Sequence, residues 1–174
     1  GDLLMVVESE TTLARLLNTR KQLALLRYEN RLYNLLLDQS GAFKIGRLPS
    51  PPALIQNEDR TRSVQLTVQE TAALLRQYRS RLGSLERTLD LKNELVNSIK
   101  KIYSAGGYAR FNYLEAVDEL QRIEAQKIQT EEEIIKAISQ AGRQVSSNER
   151  QILGLEADFT GLLEQERNLT LKAG

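Results

Sequence analysis

Between Val64 and Tyr103 one series of residues returns at alternating gaps of 4 and 3. It runs Val64, Val68, Thr71, Leu75, Tyr78, Leu82, Leu85, Leu89, Lys92, Val96, Ile99 and Tyr103, and only Thr71 and Lys92 are not apolar. That spacing is a coiled-coil seam, and it predicts one helix over 59–104. A second heptad series, Ile138, Ala141, Val145, Asn148, Ile152, Leu155, Phe159 and Leu162, predicts the distal half of another helix over 109–167. Asn148 falls on its seam, where a buried amide fixes register at some cost in stability. Nearer the start, Leu114, Val117, Leu120 and Ile123 carry the stripe, and Glu124 and Glu131 break it, so a phase slip is expected there.

A third helix is expected over 12–39, with Ser9 or Thr11 as candidate N-cap and Gly41 as C-cap. It has two apolar stripes. Leu16, Leu23, Leu26, Tyr33 and Leu37 form one, and Leu25, Tyr28, Leu32 and Leu35 the other. A face that broad suits a helix with two neighbours. All 3 prolines lie in the connector 41–58, as Pro49, Pro51 and Pro52, and exclude a continuous helix there. Residues Leu3–Val7 and Leu169–Lys172 are short aliphatic runs that read as strands.

The single Gly-Gly, Gly106-Gly107, separates the two heptad helices and reads as a turn. Folding back about Gly107 sets Asp59 opposite Leu155. The last helix then extends beyond the middle one by about ten residues, roughly 15 Å, and the first helix fits beside that lower part. The expected fold is all-α: a long antiparallel coiled-coil hairpin, with an extra helix making a three-helix bundle at its base and strand fragments at both ends.

Composition removes most chemistry. The 174 residues include no Cys, His or Trp. Cys/His zinc sites, thiol nucleophiles and His-based triads are therefore out of reach. With 24 Lys+Arg against 23 Asp+Glu, the charge lacks the basic excess of a nucleic-acid binder. Glu131-Glu132-Glu133 point three ways around a helix and read as a solvated face. Gly106-Gly107 follows no strand and precedes no Gly-Lys-Ser/Thr, so it is no phosphate loop. No enzyme activity, cofactor or metal is expected.

The turn is the sharpest local feature. Tyr103, Tyr108, Phe111 and Tyr113, four of nine aromatics, fall within eleven residues, with Arg110 among them. Such rings form a docking patch or close the end of the seam. Tyr103 completes the heptads and fits the second role. For Tyr108, Arg110 and Asn112 both roles stand open.

The pattern resembles the HlyD-like periplasmic adaptors, or membrane fusion proteins, of bacterial type I secretion. Residues 1–8 resemble the end of a first lipoyl half-motif. Ser104 to Ala116 resemble a hairpin tip within a helical domain spanning 9–168. Residues 169–174 resemble the start of a second lipoyl half-motif. The resemblance implies a periplasmic subunit anchored to the inner membrane through parts outside this chain. It would link an inner-membrane ABC exporter to a TolC-like outer-membrane channel for protein or peptide export, and it would self-associate into a ring. The extra helix and Pro-rich connector resemble secretion adaptors more than drug-efflux adaptors. An efflux adaptor and an unrelated coiled-coil scaffold are the alternatives. The tip motif R-L-x2-L-x6-S of many efflux adaptors falls on Ser98, Ile99, Ile102 and Ala109, where only the two apolar positions match. The docking residues implied are Ser98, Ile99, Ile102, Tyr103, Gly106, Gly107, Tyr108, Ala109, Arg110, Phe111, Asn112 and Tyr113.

Overall fold

No Gly or Pro interrupts the chain from Asp2 to Asp38, and nothing in its side chains stops a helix there. In the computed structural model, which describes residues 2–38, 47–107 and 109–173, helix α1 accordingly runs Asp2–Leu37. Helix α2 is Asp59–Ser104 and α3 is Arg110–Ala173. One turn of 3-10 helix, Ala53–Ile55, lies in the connector. Among the described residues there is no strand.

Both expected strands are thus helical. Thr11 and Thr12 do not cap a helix start. Their hydroxyls donate to the carbonyls of Val7 (2.8 Å) and Glu8 (2.9 Å), one turn back inside α1. Ser9 donates instead to a Glu166 carboxylate oxygen at 3.1 Å. At the far end Thr170 bonds back to the Glu166 carbonyl at 2.7 Å, and no Gly or Pro intervenes before Gly174. A strand needs a neighbouring strand to satisfy its backbone, whereas a helix satisfies its own. The proposed C-cap Gly41 lies outside the described residues.

The described residues form two compact units, Gly1–Glu70 with Gln140–Gly174, and Thr71–Ser139. In the first, α1 buries Leu16, Leu23, Leu25, Leu26, Tyr28, Leu32 and Leu36. Both expected stripes are therefore in use, with Leu36 the deepest residue of its turn in place of Leu35 or Leu37. Val64, Val68, Ala141 and Val145 are buried from α2 and α3. The connector is anchored at three points. Ile55 is fully buried, Thr61 donates to its carbonyl at 2.8 Å, and the Tyr28 hydroxyl donates to the Pro49 carbonyl at 2.7 Å. Glu58 pairs with Lys21 and Glu156 with Arg27, each at 2.5 Å.

In the second unit the α2 heptads hold. Leu75, Leu89 and Ile99 are buried, and Tyr78, Leu82, Leu85, Lys92 and Val96 are half-buried. Lys92 pairs with Glu119 at 2.8 Å and Glu86 with Lys127 at 3.8 Å. Residue numbers fall on α2 as they rise on α3. The α3 side differs from expectation. Leu114 is half exposed, and Tyr113 is turned inward in its place. Burial then follows Leu120, Ile123, Lys127, Thr130, Ile134 and Ala137 without a break, so Glu124 and Glu131 mark no slip. The irregular step comes later, where Ala137, Ala141 and Val145 follow at two successive gaps of 4.

Candidate functional site

The turn between α2 and α3 is built by its glycines. Gly106 has φ +80°, a left-handed conformation that L side chains resist. Its N–H donates to the Tyr103 carbonyl, and that of Gly107 to the Ile102 carbonyl, both at 2.9 Å. These are the two bonds of a Schellman motif, which closes the last carbonyls of α2. A Cβ on Gly107 would lie 3.2 Å from Ile102 Cγ2, so the second glycine allows close approach. Helix α3 then starts on the Ala109 carbonyl, which accepts from the N–H groups of Asn112 (3.1 Å) and Tyr113 (3.3 Å).

Across this turn Tyr103 and Tyr113 stack, with centroids 5.5 Å apart and planes 3° from parallel. Tyr103, itself 36% exposed, thus meets a ring of α3 at the end of its heptad series. Ile99 is buried beneath. Ser98, Ala109, Arg110 and Asn112 are exposed, as are Gly106 and Gly107. Ile102 is half exposed and Phe111 is 73% exposed, the largest value among the exposed large apolar side chains. The turn therefore presents Phe111, Ile102 and Leu114 to solvent with Arg110 beside them. Tyr108 lies outside the described residues.

A second polar constellation sits in the first unit, and sequence reasoning found only half of it. Asn148 is fully buried, as its seam position predicts. Its amide donates to Glu29 Oε2 at 3.1 Å and its oxygen accepts from Gln144 at 3.0 Å. Glu29, also buried, accepts from Arg60 through Nε–Oε1 at 2.5 Å and a second guanidinium nitrogen to Oε2 at 3.2 Å. The signal was present, because Leu25, Glu29, Leu32 and Leu36 follow one stripe at gaps of 4, 3 and 4. The bond to Glu29 holds the Arg60 guanidinium above its usual range. Tyr33 is pushed up by burial first and by the Glu29 charge second, with Arg60 opposing. Asn148, Glu29, Arg60 and Gln144 are thus joined by hydrogen bonds into one structural knot, beside which the buried Asn30 Oδ1 has no partner.

No known protein family, curated protein or solved structure matches the chain.

Proposed function

We propose that this chain is the helical hairpin of a HlyD-like periplasmic adaptor in a type I secretion system. In this reading α2 and α3 form a long antiparallel coiled-coil hairpin, and α1 completes a three-helix bundle at its base. The work is geometric and no catalysis is assigned. A stiff helical pair spans a gap, and its turn docks on a TolC-like outer-membrane channel. The inner-membrane ABC exporter is engaged through other parts of the parent protein. Copies pack side by side into a ring.

The observation that carries the proposal is the exposed turn. Phe111, Ile102 and Leu114, each exposed at a glycine-capped turn that also carries Arg110, have the composition of an interface anchor. The regular heptad spacing of α2 and the burial of α1 within the first unit support the same reading. The lipoyl strands do not enter it, since both termini are helical here. Among the described residues no helix is long and apolar enough to cross a membrane. The proposal places the anchor elsewhere in the parent.

The test is co-purification of the parent adaptor with candidate outer-membrane channels, with and without Arg110→Ala combined with Phe111→Ala. Both side chains are exposed, so folding should be unaffected. Loss of the channel from the double variant is the expected result. Undiminished channel recovery together with undiminished secretion would refute docking through this turn.

A further inference from the structure

Helix α1 buries one face and leaves another open. Val6, Leu13 and Leu17 are 57%, 51% and 58% exposed. Together with Glu10, Arg20 and Ala24 they follow gaps of 4, 3, 4, 3 and 4, so the open face is itself a heptad seam. It is distinct from the buried series Thr12, Leu16, Thr19, Leu23 and Leu26 on the same helix.

This open seam is complementary to itself when run in the opposite direction. Val6 then meets Ala24, Glu10 meets Arg20, and Leu13 meets Leu17. Each layer joins one kind of seam position to the other, as antiparallel packing requires. Two leucine layers sit at the centre. A carboxylate faces a guanidinium on each side of them, and a Val faces an Ala at each end. A parallel pairing in register sets Glu10 on Glu10 and Arg20 on Arg20, which repel. The order of charges thus matches a second copy of the same seam and favours the antiparallel direction for it.

We propose that a second copy of this chain covers the seam, α1 against α1, as an antiparallel two-fold dimer. The surface continues into an open groove of about 630 Å³ in the first unit, where Arg20 and Ala24 stand with Leu54 and Phe159. The partner's Val6 end is directed toward it. This dimer rests on the α1 seam alone and not on the turn between α2 and α3, and its opposed helices make it an alternative to the side-by-side ring of the adaptor reading, not a part of it. The interface is small, so the dissociation constant should fall at roughly 10–100 µM, the weak end of specific association.

The test is sedimentation equilibrium of the 174-residue chain and its charge variants, with circular dichroism to confirm unchanged helicity. The wild type should dimerise. Glu10→Arg should weaken the dimer by about tenfold or more, since it creates two like-charge layers. Glu10→Arg combined with Arg20→Glu should restore it, because both layers become complementary again. A wild type still monomeric at about 1 mM, well above that range, would overturn the proposal. So would a Glu10→Arg chain that dimerises like the wild type, or a double exchange that stays as weak as the single.

Discussion

Asn148, with no exposed surface, donates its amide to Glu29 Oε2 at 3.1 Å and so joins α3 to α1 inside an apolar interior. Removing the carboxylate strands a buried donor. Glu29→Ala should lower stability by about 1–3 kcal/mol, or a melting temperature lower by roughly 2–10 °C for a chain of this size. Glu29→Gln keeps an acceptor for Asn148 and should cost less. Thermal melts followed by circular dichroism give both values.

The same pair can be removed together. The Arg60 side chain is about half exposed and can turn to water once Glu29 is gone. Glu29→Leu with Asn148→Leu should therefore come within about 1 kcal/mol of the wild type, while each single change is worse. A double-mutant cycle by urea denaturation measures the coupling. Additive effects would show that the two side chains act separately.

At the turn, Gly106→Ala should cost about 1–2 kcal/mol, because φ is +80° and only backbone strain is at stake. No heavy atom lies within 4 Å of the added Cβ. Gly106→Asn should cost less, since Asn enters the left-handed region more readily. If alanine is tolerated as well as asparagine, the turn is not held in this conformation.

Tyr33 gives a pH dependence of known sign. Burial raises the phenol above its ordinary value, so the native state keeps a proton that the unfolded chain releases first. The contribution is intact at neutral pH. It is lost as pH climbs from the ordinary tyrosine range, about 10, through the higher native value. Tyr33→Phe should flatten the fall in stability over that interval and leave the neutral region unaffected by titration. Urea midpoints measured at rising pH supply the comparison.

How far the sequence reached depended on periodicity. Helix α2 was legible to its ends, since its heptads run without interruption and Gly106 marks the stop. The Asn148 seam position was legible for the same reason. Polar seam residues were legible only where apolar heptads flank them on both sides, as at Lys92 and Asn148. Lys127 and Thr130 on α3 are turned inward, and an apolar-only series passed over both. Glu29 was hidden likewise, as a charge within a leucine stripe. The termini misled for a different reason. Leu3–Val7 and Leu169–Lys172 have strand-like composition, but helix continuation there meets no breaker. Ile55 is buried in a Pro-rich connector beside the exposed Leu54, and no repeat marks out which of the two is the anchor.

The adaptor reading stands on the proposed docking of the turn. A photo-crosslinking residue placed at Phe111 of the parent protein, in the cells that make it, tests it most directly. Illumination should yield a covalent adduct with an outer-membrane channel subunit, and the same label at the exposed Leu153 should not. Adducts with the channel from Leu153 and none from Phe111 would contradict the account.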